Sequence, residues 1–587
     1  MILKETQVIQ NVGDMARFGA TLFQVLAPLQ LALIMFLAAI SAASNVAIEK
    51  DRQTLILVLM SRLTNSELVL GKLSASLLNV SVMLMTSLPI FMLIVLFGGT
   101  SFEQVGWTYA VTFAAAFLAG SLGNLVAFWR EKTFQTLAMV GIVIVFWIGV
   151  SEGVGMAQFS LVGYSADQIA ATLSPIRAII AASLPTVPQT WPTAVLPQIL
   201  FSLVIGCLMC LIAIVRVRKW NPSREVRFRP QEAEFSDQVD PITGQQLLQA
   251  NSAELTAGQA VLEDSPDGSA KIGRAIDAVP RQPRTGRSRH VWDNPILWRE
   301  ACTWAYGKKI LFIRLIYWGL ALSVLLALYW MISSGEATRR TADEGFQLHV
   351  VTKPLAPFLL LSVVLLNALA VTSITTERDG RALDLLRVSD ISPQEFLLGK
   401  LFGVAIVAAD MILIPIGFCA YLCYHEIVSV ENLIYLVASL LMIYLFVGML
   451  GVHCGMLYSA SRQAILVSLG TVFFLFLGVI TSMLMMISFT GNVEAQLTPF
   501  LACIIGGGIG LYVALGWNMP SSPALVTACG LLPFAMFYSI TSYMLGNYLT
   551  VFIVLSVAYG FACLAMMVPR LSEFLVASDR VKGADTE

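Results

Sequence analysis

The sequence predicts an all-α membrane protein with two helical bundles in parallel orientation, joined by a cytoplasmic linker. Of its 587 residues, 57% are hydrophobic and only 12% are charged, whereas soluble domains carry roughly 25% charged residues. Apolar runs long enough to cross about 30 Å of hydrocarbon recur along the chain. In addition, a charged segment occurs twice at a fixed separation, which is the mark of an internal repeat.

The apolar runs divide the chain into two transmembrane halves, residues 1–217 and residues 294–587. The first half has spans near 23–47, 73–98, 105–129, 134–152 and 194–216, and the second has spans near 309–333, 354–376, 401–424, 433–457, 464–488 and 545–569. This is about five plus six spans. Between 498 and 541, glycines followed by Pro520 and Pro523 favour a re-entrant segment, and an ordinary extra span is the alternative.

Residues 218–293 differ from both halves because they are polar, charged and rich in proline and glycine. Such a segment cannot bury enough apolar surface to order itself, so we expect a disordered linker. Lysines and arginines cluster where the linker meets the fifth and sixth spans, which places it in the cytoplasm. Residues 49–72 and 377–400 are then cytoplasmic as well. Arg339, Arg340 and Lys353 fall on the outer side and oppose this orientation, but more lysines and arginines lie on the inner side.

Several classes of protein are disfavoured by composition. A formal charge of −1 gives no support for a nucleic-acid partner. The nine cysteines lack the paired spacing of a zinc site or a disulfide framework, so we read them as small packing residues. The polar N-terminus does not resemble a cleavable signal peptide, so we expect the spans themselves to drive membrane insertion.

The most informative pattern is the repeat of EKDRQTLILVLMSRLTNSELVLGKL (49–73) as ERDGRALDLLRVSDISPQEFLLGKL (377–401). The two copies align without a gap at an offset of 328 positions, the difference between 377 and 49. The residues that recur in the first copy are Glu49, Asp51, Leu55, Leu57, Ser61, Glu67, Leu70, Gly71, Lys72 and Leu73. The same offset relates Gly123 to Gly451 and Gln135 to Gln463, so the repeat spans several helices. About six spans separate the copies, and an even number returns both to the same side of the membrane.

The first half is one span shorter than the second at its beginning. The second half opens with an amphipathic stretch, NPILWRE at 294–300, followed by a span, and nothing equivalent precedes residue 20. Two explanations stay open: this half lacks its first helix, or the natural start lies upstream of Met1. With five spans in this half, the N-terminus would lie outside.

Each copy of the repeat predicts a short, separately capped helix at the cytoplasmic face. Thr64 with Glu67, and Ser392 with Glu395, have the spacing of a capping box, in which the hydroxyl and the carboxylate satisfy free helix-start N–H groups. Each helix then passes a Gly-Lys pair, at 71–72 and 399–400, and we expect both lysines to extend to the lipid headgroups. A well-capped interfacial turn is the plainer interpretation. The length of the segment and its recurrence in both halves favour a docking surface.

No enzyme site is predicted in this chain. The Gly-Lys pairs at 71–72, 307–308 and 399–400 lack the preceding glycine and the following Ser/Thr of a nucleotide-binding P-loop. Metalloprotease and serine-hydrolase motifs are absent from the sequence as well. We therefore expect no cofactor in the chain itself.

Asp410 and His453 are ionisable residues that lie within predicted spans. Such groups are candidates for function in a membrane. Asp410 has no acidic counterpart in the first half, so we expect an interhelical hydrogen bond or a cavity-facing carboxyl rather than an ion-coupling site. For His453 we expect a packing role. Pro89 and Pro415 lie at similar depths, and we expect both to kink their helices.

The repeated pattern E-x-D-x-x-[TA]-L followed by [ST]-x-x-E-x-x-x-G-K resembles the loop after the second helix in ABC-transporter permeases of the lipid, polysaccharide and drug exporter class. NPILWRE resembles the elbow helix that precedes their first span. The resemblance implies two ATPase-coupling loops, 49–72 and 377–400, which dock on separate ABC ATPase subunits that bind ATP-Mg. The site residues it implies are Glu49, Asp51, Thr64, Glu67, Gly71, Lys72, Glu377, Asp379, Ser392, Glu395, Gly399 and Lys400.

The favoured hypothesis is thus a two-half permease with two ATPase copies, which exports or flips an amphipathic substrate across a bacterial inner membrane. One alternative is a secondary transporter of the major-facilitator type, which also has parallel halves and a central linker. Asp379-Gly380-Arg381 lacks the spacing of that class, and the first copy has no such triplet. A membrane scaffold without transport activity is the third possibility.

Overall fold

The structure, a computed structural model, describes residues 12–51, 54–130, 133–156, 160–161, 164–184, 191–221, 294–302, 310–334, 351–380, 382–383, 386, 391–488, 497, 500–516 and 522–584. Nearly all of the predicted linker lies outside these residues, so its disorder stays a prediction. Only its first residues are described, and they extend a helix of the first half to Trp220. Both transmembrane halves belong to one compact unit.

In the first half, the helices are α1 (Val12–Asp51), α2 (Thr54–Met60), α3 (Asn65–Thr86), α4 (Leu88–Phe97), α5 (Phe102–Trp129), α6 (Thr133–Met156), α7 (Ala166–Leu173), α8 (Pro175–Ser183) and α9 (Trp191–Trp220). A two-stranded antiparallel ribbon, β1 (Ser160–Leu161) and β2 (Tyr164–Ser165), precedes α7. Five elements of this half are long and apolar enough to span the membrane, with α3 and α4 counted as one. The break between α3 and α4 lies at Ser87, and Pro89 follows at a position where the missing N–H costs nothing.

In the second half, the helices are α10 (Pro295–Cys302), α11 (Ile310–Ser333), α12 (Thr352–Asp379), α13 (Pro393–Val407), α14 (Ala409–Tyr424), α15 (Val430–Leu457), α16 (Ser461–Phe473), α17 (Val479–Ser488), α18 (Gly507–Gly516), α19 (Pro523–Met544) and α20 (Tyr548–Ala584). Short π-helical turns precede α17 and α18. Helices α13 and α14 meet at a bend of 60°. The bend lies at Ala408, seven residues before Pro415, so the kink is not at the position we expected.

Across the described residues, the structure has 11 helices of span length, or 12 with the bent pair. This confirms the predicted all-α polytopic fold. The uncertain region between 498 and 541 forms a hairpin. Its arms are antiparallel, because the Phe500 and Phe537 rings meet edge to face with centroids 5.0 Å apart and Gly516 lies beside Leu525. The second arm, α19, has the length of an ordinary span, whereas the apolar helix of the first arm, Ala502–Gly516, is shorter. That the first arm is re-entrant stays a prediction.

The repeated glycines mark a close helix crossing in each half. A Cβ atom at Gly123 on α5 would lie 2.4 Å from the carbonyl oxygen of Ala39 on α1. A Cβ atom at Gly451 on α15 would lie 3.0 Å from the carbonyl oxygen of Asn367 on α12 and closer still to Ala370. Ala39 and Asn367 are themselves related by the offset of 328. The repeat in sequence is therefore a repeat in packing, with small residues admitting close backbone approach.

Candidate functional site

The two predicted coupling segments lie at the same end of the molecule. The Ser461 hydroxyl, at the start of α16, donates to Asp379 Oδ2 at 2.6 Å, where α12 ends. The next residue, Arg462, donates from Nη2 to Ser41 Oγ of α1 at 3.0 Å. Ser41 is only about 12 Å of helix before Glu49. The ends of α1 and α12, which begin the two segments, are therefore neighbours at one face.

Both capping boxes form as predicted. Thr64 Oγ1 accepts from the Glu67 N–H at 3.3 Å, and Glu67 Oε2 accepts from the Thr64 N–H at 2.9 Å. In the second half, the same two bonds join Ser392 and Glu395 at 3.2 and 3.0 Å. All four residues are exposed. Each box therefore fixes the residue at which a helix of its segment begins, Asn65 for α3 and Pro393 for α13.

An ion pair at matched positions closes each segment at its base. Lys72 on α3 pairs with Glu49 at the end of α1, and Lys400 on α13 pairs with Glu377 at the end of α12. In the second half, the Lys400 Nζ and Glu377 Oε1 atoms are 2.6 Å apart. The glutamate and the lysine recur at the same spacing because they hold the end of one span to the start of the next. The sequence alone showed their recurrence but not their contact.

The expectation that Lys400 extends to the lipid headgroups is wrong. Its side chain is 1% exposed, against 26% for Lys72. A second carboxylate, that of Glu300 on α10, lies 2.6 Å from the Lys400 ammonium and is itself 3% exposed. Lys400 thus lies between two carboxylates in a place that water hardly reaches, and each of them would lose a cationic partner without it.

Helix α10, which resembles an elbow helix, completes this cluster in the second half. Arg299 pairs with Glu377 and, at 3.1 Å, with Glu300. Asn294 caps α10 by accepting from the N–H groups of Ile296 and Leu297, each at 3.0 Å. The Asn294 amide also donates to the Glu395 carbonyl at 2.9 Å. Sequence reasoning singled out α10 but missed Glu300, because the residue lies 100 positions from Lys400.

A basic residue next to each glutamate ties the segment to a third helix. Lys50 Nζ donates to the Arg130 carbonyl at 2.9 Å, just past the end of α5. Arg378 donates to the carbonyls of Gly455, at 2.7 Å, and of Tyr458, which lies just past the end of α15. Lys50 matches Arg378, and Arg130 matches Tyr458, at the offset of 328. Cations at helix C-termini are favourable. The match between Lys50 and Arg378 would have been visible in the sequence if the two copies had been compared by charge rather than by residue identity.

The short helix α2 presents apolar side chains on two opposite faces. Leu55 and Leu59 are buried against α5 and α9, beside Phe128. Leu57 and Met60 point away and are 69% and 72% exposed. The turn after α2 is held by Arg218 of α9, whose Nε donates to Asn65 Oδ1 at 2.6 Å. Exposed apolar groups on a helix that neighbouring helices hold in place can form a docking surface.

Other predicted site residues have simpler roles. Gly399 allows α10 to approach, since a Cβ atom there would lie 2.8 Å from Asn294 Oδ1. At Gly71, a Cβ atom would meet no atom within 4 Å. Asp379 accepts from Ser461, whereas the Asp51 side chain lies outside the described residues. In the second segment, residues 384–385 and 387–390 lie outside them too, so no counterpart of α2 can be described there.

Both intramembrane ionisable residues make interhelical contacts, as we expected. Asp410 Oδ2 lies 3.2 Å from Arg314 Nε, and Arg314 Nη2 donates to the Val407 carbonyl at 2.6 Å. Arg314 thus supports the bend between α13 and α14. His453 is fully buried, and its Nε2 lies 3.1 Å from the Leu515 carbonyl oxygen of the hairpin.

A narrow apolar cleft lies between the two halves. It is lined by α1 and α6 from the first half and by α12 and α16 from the second. The lining side chains are Phe36, Ala39, Ile40, Leu137, Val140, Ile144, Val364, Leu365, Ala368 and Leu469, together with Gly141. The cavity has room for about one water molecule. In this conformation the halves are therefore closed against each other along an apolar seam.

Comparison with known proteins finds a related family in each half. Residues 4–232 match one family of sequences described as ABC-2 family transporter protein, and residues 338–506 match a second family with the same description. No curated protein and no solved structure matches the chain. Residues 233–337, which contain most of the linker together with α10 and α11, and residues 507–587 lie outside both matches.

Proposed function

Because the chain belongs to the ABC-2 family of transporter membrane proteins, with two such domains in one multi-pass chain, we propose that it is driven by two separate ATPase subunits. Segments 49–72 and 377–400 each bind one of them. The ATPases bind ATP-Mg, and this chain supplies only the path across the membrane. The family matches favour this function over the major-facilitator and scaffold alternatives.

The observation that carries the proposal is the matched construction of the two segments. Each is capped by a hydroxyl–carboxylate box, closed by a Glu–Lys ion pair and tied by a basic residue to the end of α5 or of its counterpart α15. The ion pair joins the two ends of the segment and the basic residue joins them to a third helix, so each segment is stiff. A force applied to it moves α1 or α12 rather than bending the loop. An interfacial turn without a partner would need no such bracing in both halves.

The moving helices are those that line the cleft. Helices α1 and α12 end in the coupling segments and contribute Phe36, Ala39, Val364 and Ala368 to the seam. Rocking the two segments apart or together would therefore open or close the seam. Its apolar lining fits the apolar part of an amphipathic molecule, such as a lipid-like substrate, and export or flipping is the direction we propose. We place the transporter in a bacterial inner membrane.

The stoichiometry of the purified complex tests the docking role of α2. Replacing Leu57 and Met60 together by glutamate puts two charges into an interface that must be desolvated. We expect the number of ATPase subunits per chain to fall from two to one, or to none if the two bind cooperatively. Native mass spectrometry of the detergent-solubilised complex measures this number.

The matched control keeps the face apolar by exchanging the two residues, Leu57→Met with Met60→Leu. This control should retain both ATPase subunits. Because both side chains point away from the packed face of α2, neither variant should change the unfolding temperature of the isolated chain. Two ATPase copies on the diglutamate variant would contradict the proposal.

A further inference from the structure

Arg462 lies at the end of the apolar seam that is nearer the coupling segments. Leu469 lines the seam, and Arg462 precedes it on α16 by seven residues, which places the two residues on one side of the helix about 10 Å apart. Arg462 Nη2 donates to Ser41 Oγ of α1 at 3.0 Å, and Ser41 follows Ile40, which also lines the seam. A guanidinium group thus joins the two halves at this end of the seam.

The guanidinium of Arg462 has a neutral partner. Ser41 is buried, and its hydroxyl carries no charge that could balance the arginine. The Asp379 carboxylate, near the start of α16, accepts from the Ser461 hydroxyl instead, at 2.6 Å. Within the part of the chain that the structure describes, no carboxylate oxygen lies within 4 Å of the Arg462 guanidinium. A half-buried cation without a counterion favours any anion that can reach it, because a charge-assisted hydrogen bond is stronger than a neutral one.

The repeat indicates that closing the two halves does not need this polar pair. At the offset of 328, Arg462 corresponds to Phe134 on α6, and Ser41 corresponds to Leu369 on α12. Both counterparts are buried in the apolar core. Apolar side chains therefore suffice at the equivalent positions, and the arginine adds a charge that packing alone would not select. The charge occurs on one side of the seam, which suits one bound molecule rather than a feature of the repeat.

Movement of the second coupling segment would change what Arg462 contacts. The preceding residue, Ser461, donates to Asp379 at the end of α12 and accepts from Arg378 Nη2 at 2.9 Å. The start of α16 is therefore fastened to the second coupling segment, whereas Ser41 belongs to the first half. When the halves separate at this end, the hydrogen bond between Arg462 and Ser41 breaks, and the guanidinium faces the opened seam.

We propose that Arg462 binds the headgroup of the transported molecule, and that this molecule is an anionic amphiphile, with a phosphate or carboxylate next to its apolar chains. The inference rests on the proposed function, because it takes the seam as the path across the membrane. The apolar seam receives the chains, and the guanidinium donates hydrogen bonds to the anionic group. When the seam closes again, Ser41 replaces the headgroup as the partner of Arg462, and the headgroup is released.

Photo-crosslinking with two lipids that differ only in their headgroup tests this proposal. The probes are phosphatidic acid and phosphatidylcholine with the same diazirine-bearing chains, added to the permease–ATPase complex in phosphatidylcholine nanodiscs during ATP hydrolysis. We expect phosphatidic acid to label seam residues such as Leu469 and Val364 at least about 10-fold more, the factor expected for one hydrogen bond to a charged group. Free glycerol 3-phosphate should not compete, because it has no chains to bind in the seam; competition would indicate a soluble anion and overturn the proposal.

Three variants assign the headgroup preference to Arg462. Arg462→Gln should abolish the preference for phosphatidic acid, and Arg462→Lys should keep most of it. The matched control is Arg216→Gln, which removes a charge from an exposed position near the end of α9 and should leave the preference intact. An undiminished preference in Arg462→Gln would overturn the proposal.

Native mass spectrometry of the same samples separates this inference from the proposed function. All three variants should keep the ATPase subunits of the unsubstituted chain, since neither Arg462 nor Arg216 lies in a coupling segment. Bound ATPase together with equal labelling by the two lipids would overturn the headgroup site and leave the proposed function standing. An unsubstituted chain that binds no ATPase would contradict the proposed function, and the inference with it.

Discussion

Replacing Lys400 by methionine is expected to lower the free energy of unfolding by about 3–5 kcal/mol, the usual effect of removing one partner from a buried ion pair. The Lys400 ammonium, 1% exposed, pairs with both Glu300 and Glu377, which are 3% and 13% exposed. Without it, Arg299, itself 35% exposed, is left to balance two buried carboxylates. The measurement is the unfolding temperature of the chain purified in detergent.

Lys72→Met is the matched control because it removes the equivalent lysine from the first half. Both members of its ion pair are 26% exposed, and ion pairs that water reaches contribute about 1 kcal/mol or less. The double variant Lys400→Met with Glu300→Gln should recover part of the loss, because one unpaired carboxylate is then gone. Equal losses for the two lysine variants would contradict the buried cluster described above.

Gly451→Ala is expected to be the second most damaging change, with a loss of several kcal/mol or failure to fold. The new methyl group would lie 2.6 Å from the Cβ of Ala370 and 2.9 Å from the backbone nitrogen of Val371. Both are rigid parts of α12, so α12 and α15 would have to separate along their crossing. The yield and unfolding temperature of the detergent-purified protein report the effect.

Gly123→Ala in the first half should be similarly damaging, because the methyl group would meet the Ala39 carbonyl at 2.4 Å. The control is Gly106→Ala on α5, where a Cβ atom has no neighbour within 4 Å. There the substitution should be neutral or stabilise the helix by up to about 1 kcal/mol, since alanine favours helices over glycine. Tolerance of alanine at both crossings would show that the two halves are not packed as the repeat implies.

The parts of the fold that follow from local sequence were predictable. Long apolar runs gave the spans, and the spacing of Thr64 to Glu67 and of Ser392 to Glu395 gave both helix starts, since a capping box involves only four neighbouring residues. The internal repeat predicted that the two halves are built alike. The match between Gly123 and Gly451 in the repeat already pointed to the two positions where the helices pack closely.

The parts that depend on contacts distant in sequence were not predictable. Whether Lys400 reaches lipid or a buried carboxylate depends on where α10 lies, and no pattern near Lys400 reveals that position. The hairpin of α18 and α19 was ambiguous because glycines are compatible both with a broken segment and with two tightly packed helices. The kink was predicted at Pro415 but lies at Ala408, because Arg314, from another helix, donates a hydrogen bond to the carbonyl of Val407 there.

The asymmetry of the two halves has a physical consequence. The second coupling segment is anchored by α10 through Asn294, Arg299 and Glu300, while the described part of the first is held by α1, α5 and α9. We therefore expect the first segment to be the more compliant of the two levers. Hydrogen exchange at α2 and the start of α3 should be faster than at the start of α13.

The central claim is that segments 49–72 and 377–400 face the cytoplasm and are covered by bound ATPase. Labelling of Ser61→Cys and Gln394→Cys with a membrane-impermeant maleimide tests it most directly, because both positions are exposed, one in each segment. Both cysteines should react only in inside-out vesicles, and bound ATPase should slow both reactions. Labelling of either cysteine from the outer side, or equal rates with and without ATPase, would contradict the claim.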